Sequence, residues 1–184
     1  KSGFKMTAEA GYLFQLKPDL TLLLDGEPAA NLDSIGIRKD NFPRLVFNGH
    51  WYKPLSGHTT LLLHGQLGLN FNYDQIHLND FAVGGLTGQF RNQVTFAGLQ
   101  EATFYTPSVA ALMLGARYEV YNNLFCTLRA DGLAHNFVSR RASIRIPKFI
   151  SGTALTVGYN TPFGPLELSA TYSPDTGKIG SYIN

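Results

Sequence analysis

From Thr60 to Asn72 the chain alternates. Leu61, Leu63, Gly65, Leu67, Leu69 and Phe71 fall on one parity and Thr60, His64, Gln66, Gly68, Asn70 and Asn72 on the other, with Leu62 the one apolar intruder. A period of two is that of a β-strand with two different faces. Similar segments recur along the sequence. Phe4 to Gln15 sets Phe4, Met6, Ala8, Ala10, Tyr12 and Phe14 against Lys5, Thr7, Glu9 and Gly11. Leu20, Leu22 and Leu24 read as a second strand, and Arg44 to Lys53 sets Leu45, Phe47, Gly49 and Trp51 against Asn48, His50 and Tyr52. Val109 to Tyr121, Leu124 to Asn136, Thr153 to Asn160, Leu166 to Ser173 and Lys178 onward complete a set of about nine strands by this period.

The links between these strands sort by length. Leu16 to Asp19, Pro54 to Gly57, Asn122-Asn123 and Thr161 to Pro165 are short and turn-like, whereas Asp25 to Asn41, Tyr73 to Thr106 and Val138 to Lys148 are long, and Pro174 to Gly177 is a brief final loop. Alternating short and long links are the asymmetry of periplasmic turns and extracellular loops. A soluble sandwich has no reason to sort its loops by end. The expected fold is therefore all-β, an antiparallel transmembrane β-barrel. Bacterial single-chain barrels have even strand numbers and must close, because an unpaired edge in lipid is costly. A count of about nine thus reads as part of a larger barrel. The last strand also stops at Ile183-Asn184, short of the roughly 9–11 residues of a full crossing.

Composition agrees with a membrane-embedded wall. Charged residues make up 15% of the 184, against roughly 25% in soluble domains. No run approaches the roughly 18 apolar residues of a transmembrane helix, yet a barrel crosses with strands that are apolar on one side only. The mean hydropathy of -0.05 fits that case. A formal charge of +2, with acids and bases interspersed, leaves no basic stripe for nucleic acid. The single cysteine, Cys126, excludes an internal disulfide framework. No signal peptide is present, so the N-terminus reads as mature or internal to a longer chain.

Parity assigns the candidate site residues. Leu112, Leu114, Ala116, Tyr118 and Val120 face out and Met113, Gly115, Arg117 and Glu119 face in; on the next strand Leu124, Cys126, Leu128 and Ala130 face out and Thr127, Arg129, Asp131 and His135 face in, while Phe125 and Leu133 break the inward polarity. Arg117, Glu119, Arg129 and Asp131 are therefore expected on one interior wall, where water or pairing satisfies them. No Gly-x-Ser-x-Gly elbow occurs, and Asp131-Gly132 alone is too common to be half of a catalytic dyad, so no catalytic residue is assigned. His50, His64 and His135 lie inward on different strands without close ligand spacing, and neither metal nor cofactor is expected. Arg140, Arg141 and Arg145 offer a basic run for outer-leaflet phosphates. Tyr12, Trp51, Tyr118, Tyr159 and Tyr172 suit interfacial anchoring.

Two stretches resemble a known family. Thr161-Pro162-Phe163-Gly164-Pro165-Leu166-Glu167-Leu168, followed by Tyr172, resembles the Pro-x-Gly-Pro-Leu turn and penultimate strand of the BamA-like surface-antigen barrels. The long segment through Phe81-Ala82-Val83-Gly84-Gly85-Leu86 and Phe96-Ala97-Gly98-Leu99 resembles that family's sixth extracellular loop, and five strands follow it, as a sixteen-stranded barrel requires. The resemblance covers essentially the whole chain. It implies that residues 1–184 are the C-terminal part of an outer-membrane barrel domain, about nine of sixteen strands. It further implies a Gram-negative bacterial outer membrane, contact with outer-membrane lipid and insertion by the barrel assembly machinery, and leaves a homo-oligomer open.

BamA-like insertases and two-partner transporters carry an Arg-Gly pair in this loop, whereas Ala97 precedes Gly98 here and Arg91 is the only arginine nearby. With Arg91-Asn92-Gln93 included, the loop looks more like that of the barrel following a patatin-like phospholipase domain in Bacteroidetes. That likeness implies a barrel that anchors, and in one version exports, an N-terminal phospholipase; the alternative is a BamA-like insertase or translocator. A soluble lipocalin-like barrel is a third class, and it would stay monomeric without detergent. In either membrane reading the loop folds into the lumen and plugs it. Gly84, Gly85, Arg91, Phe96 and Gly98 are its candidate plug residues, with Arg91 pairing inward acids.

Overall fold

A computed structural model describes residues 2–14, 23–24, 27–28, 41–71, 79–138 and 146–183. Its strands are β1 (Gly3–Leu13), β2 (Leu23–Leu24), β3 (Glu27–Pro28), β4 (Phe42–Pro54), β5 (Thr59–Asn70), β6 (Phe81–Val83), β7 (Gln93–Val94), β8 (Phe104–Thr106), β9 (Ser108–Tyr121), β10 (Leu124–His135), β11 (Lys148–Thr161), β12 (Gly164–Ser173) and β13 (Lys178–Ile183). Eight of them form one sheet in the order β1-β4-β5-β9-β10-β11-β12-β13, antiparallel throughout. β1 and β13 are its two ends, and no pairing joins them among the described residues.

Among the described residues the wall has eight strands where the period suggests about nine. β1 pairs with β4 along its whole length, from Gly3 opposite Tyr52 to Leu13 opposite Phe42, which leaves no place for a strand between them. Leu23 and Leu24 instead pair with Pro28 and Glu27 in a separate two-stranded ribbon. Three leucines at a spacing of two are too short a run to fix a wall strand. The expected turn Leu16 to Asp19 and most of the leucine run lie outside the described residues. Eight is even, so strand parity no longer argues for a missing strand.

The sorting of the links survives this correction. Residues 55–58, 122–123 and 162–163 join strands at one end; the longer β1–β4, β5–β9 and β10–β11 connections and the brief β12–β13 one leave the wall from the other. The Asn122-Asn123 link closes the β9–β10 hairpin as a tight turn. Only Asn123 has a positive φ, 67°, and the β9–β10 register shifts between Leu124 and Phe125. A bulge absorbs the twist that a second left-handed residue would supply.

The two faces differ in the sense the alternation requires. On β12, Leu166, Leu168, Ala170 and Tyr172 are exposed, while Ser169, Thr171 and Ser173 are buried on the opposite face. Outward Leu114, Leu128, Leu155, Val157 and Tyr159 continue the exposed apolar belt. A belt of this extent is a lipid or partner surface rather than a water-facing one. The buried apolar core lies inside the curve of the wall, where Val109 and Leu133 meet Phe81, Val83, Val94, Phe96 and Leu99 of the inner loop.

Candidate functional site at the inner loop

Residues 71–107 join β5 to β9, and their described part carries a small sheet in the order β7-β6-β8, with β6 and β7 parallel and a further bridge between Gly85 and Phe96. Its apolar side chains pack on inward wall residues. Leu133, which breaks the inward polarity of its strand, therefore has a partner. Phe125, the other exception, lies 5.6 Å from the Arg117 guanidinium.

Where loop and wall touch, close approach decides the residue types. Gly152 on β11 faces Ala97, and a Cβ there would overlap the Ala97 carbonyl oxygen. Gly98 has φ +84°, and a Cβ on it would lie 2.6 Å from Ser173 Cβ and 2.7 Å from the Ser173 backbone nitrogen. Only glycine meets both conditions at Gly98. Gly84 and Gly85 also take positive φ, and the Gly84 carbonyl accepts from Gln93 Nε2 at 2.8 Å. Phe96 is fully buried in the core.

A charged clasp on β10 holds both flanks of the loop tip. Asp131 Oδ2 accepts the Ala97 N–H at 2.6 Å, and Arg129, two residues earlier on the same strand face, grips both Asp131 oxygens, with Nε to Oδ1 at 3.1 Å. Arg129 Nη1 also donates to the Leu86 carbonyl at 3.4 Å. The side chains are 12% and 3% exposed. In such a setting a carboxylate is held by its partners, since an unpaired one would be costly. Tyr182 on β13 donates to the Leu99 carbonyl, and Thr95 N–H donates to Gln66 of β5 at 3.2 Å.

The other sequence-assigned residues lie outside this clasp. Arg117 donates through Nε to Thr127 at 3.1 Å and approaches Glu167 at 3.9 Å. Glu119 accepts the Asn123 N–H at 3.4 Å, at the turn end of the wall. Arg91 is largely exposed and meets Glu9 of β1 at 3.8 Å, a geometry worth little in water. His50 and His64, directly opposite on β4 and β5, stack at 3.8 Å, and His64 shares a 2.9 Å hydrogen bond with Asn48. His135 packs against Phe104. No cluster of three or more metal-ligating side chains occurs among the described residues. Arg140, Arg141 and Arg145 lie outside the described residues.

One anchor escapes the sequence reading. Arg44 on β4, 5% exposed, donates to Asn70 Oδ1 at 3.3 Å, the Asn79 carbonyl at 2.9 Å and Asn92 Oδ1 at 2.6 Å, and lies 4.5 Å from the Phe81 ring. The parity that turns Asn48 and His50 inward also turns Arg44 inward, and that was the available signal. Between the loop and the turn end of the wall remains a cavity of about 910 Å³, lined by His50, His64, Gln66, Arg117, Arg129 and Glu167 among others. Charged and polar side chains lining an interior cavity behind an apolar exterior invert the arrangement of a soluble binding barrel.

A family model of the OMP85 superfamily matches residues 40–184. The chain belongs to that superfamily. OMP85 membership makes it an outer-membrane β-barrel protein of the BamA and translocator kind, and the apolar belt, polar interior and sorted links are the features such a wall needs. Comparison with curated proteins and with solved structures found no match. Ala97 carries no guanidinium, and the one beside the clasp carboxylate is supplied by Arg129 of the wall.

Proposed function

We propose that this chain is the C-terminal part of an outer-membrane barrel domain that anchors an N-terminal patatin-like phospholipase, with the inner loop seated as a lumen plug. The observation that carries the reading is the clasp. The wall supplies both members of the Arg129–Asp131 pair, so at the clasp the loop contributes only backbone groups, the Ala97 N–H and the Leu86 carbonyl. A plug seated this way serves a barrel whose task is anchorage and closure. Among the described residues Arg91 contributes an exposed contact with Glu9; Gly84, Gly85, Phe96 and Gly98 shape the plug, and Arg129 and Asp131 retain it.

The breadth of the interior supports a barrel wider than this wall. Eight strands closed on themselves leave room for little more than side chains, whereas this wall curves around a three-stranded sheet and a cavity of about 910 Å³. The edges of β1 and β13, which no described strand pairs, would then meet further strands of the same polypeptide or of a second copy. A second reading, insertion or translocation of other proteins, is favoured by those same edges, since an unpaired strand in a membrane is a template for an incoming one.

The test joins the full reading frame to an assay. The anchoring reading expects a serine-aspartate lipase domain before Lys1 and acyl hydrolysis of phospholipid by the full-length protein in outer membranes. Tandem periplasmic repeats in that position, without hydrolase activity, would sink it in favour of the insertase.

A further inference from the structure

The lipid-facing side of the wall is not uniformly covered. A groove of about 470 Å³ runs over β5, β9 and β10, lined almost wholly by apolar groups. That volume falls in the range of ligand clefts, roughly 300–1,000 Å³. Cross-strand register explains it. One row places Leu63 opposite Leu114 and Leu114 opposite Ala130; the row nearer the turn end places Leu61 opposite Ala116 and Ala116 opposite Leu128. The two alanines are diagonal neighbours, so the leucines stand around a trench whose floor is Ala116 and Ala130. Trp51, opposite Leu63 on β4, closes one side.

A cation stands at the end of this groove. Lys53 shares the outward face of β4 with Trp51, its ammonium lies 6.0 Å from the Trp51 ring, and β4 stops one residue later at Pro54. A lysine on a lipid-facing strand is tolerated near the interface, where its stem follows the apolar surface and its head reaches the phosphate layer. We propose that the groove is a specific phospholipid site of the turn-end leaflet, with one acyl chain over Ala116 and Ala130 and an anionic headgroup on Lys53. The inference requires only a membrane-embedded wall. Its failure would leave the plug reading untouched, and failure of the plug reading would leave it standing.

Trp51 is the single tryptophan in the sequence and lies on the groove, so it is a built-in probe. The full-length protein, with any tryptophan outside residues 1–184 replaced by phenylalanine, is placed in phosphatidylcholine vesicles containing increasing fractions of brominated phosphatidylglycerol or brominated phosphatidylcholine. Trp51 quenching should saturate at low mole fraction, with half-quenching at about fivefold less of the anionic lipid, the weight of one lysine at a charged surface. Lys53→Gln should abolish that preference. Ala116→Leu and Ala130→Leu, singly and together, should fill the floor and shift half-quenching to higher lipid fractions, while heat-shifted gel mobility confirms a folded barrel. Quenching that rises in proportion to mole fraction, alike for both headgroups and unchanged by the leucines, would show ordinary annular lipid and overturn the site. Sensitivity to the leucines without a headgroup preference would overturn the phospholipid assignment.

Discussion

Asp131 combines a backbone contact and an ion pair in one buried carboxylate, so its removal has two costs. Asp131→Ala takes the acceptor from the Ala97 N–H and leaves Arg129 buried without its partner, and breaking such a pair costs about 3–5 kcal/mol. Removing the stranded charge as well should recover part of that loss. Equilibrium unfolding in detergent should therefore find Arg129→Met/Asp131→Ala more stable than Asp131→Ala alone; additive losses would mean that the pair is not coupled. At Gly98 the prediction is backbone strain. Gly98→Ala places a methyl against both a side chain and a backbone atom of Ser173, so Ser173→Gly should rescue it only in part, read by the same unfolding midpoints. Parity alone places Arg129 and Asp131 on one face; that Arg129 bonds along its own strand rather than across to β9 depends on rotamers and on the loop above them.

The wall elements were legible because each separates two media, and a period of two survives wherever both faces are uniform. It fails where the inner face is covered. β11 begins at Lys148 rather than at the expected Thr153, because Ile150 faces inward onto the hydrophobic cluster and hides the polar parity. The inner loop gave no periodic signal at all, since β6, β7 and β8 are two or three residues long and include a parallel pair. The contrast between faces is open to measurement on a single strand. Leu168→Arg, at the middle of the outward face of β12, should cost about 2–4 kcal/mol in folding into vesicles. Glu167→Arg, its inward neighbour bordering the cavity, should cost clearly less; equal losses would contradict the assignment of faces.

At the scale of the molecule, the sheet is an apolar outer surface wrapped around the inner loop and a cavity with charged and polar lining, and the single cysteine reports on that outer surface. Cys126 belongs to the outward parity of β10 and faces Val157 and Tyr118 on its neighbours. A nitroxide attached there in detergent, with any cysteine outside residues 1–184 replaced, and carried into vesicles, should collide readily with dissolved oxygen and poorly with a water-soluble nickel chelate. The reverse preference would place β10 against water and remove the membrane wall. Position across the wall was readable from the sequence. The clasp was not, because its partners are distant in the chain: Ala97 and Asp131 are 34 residues apart, and Leu99 and Tyr182 are 83 apart.

That separation runs in one direction. Asp131, Gly152, Ser173 and Tyr182, which receive the Ala97–Leu99 segment, all follow it in the chain. The segment is synthesised before any of these partners exists, and closing the longest of these contacts must await β13. Completion of the Ala97–Leu99 seat is thus a late step in assembly, and a chain halted after β10 would hold this segment by the charged pair and the contacts of Val109 and Leu133 yet lack Gly152, Ser173 and Tyr182.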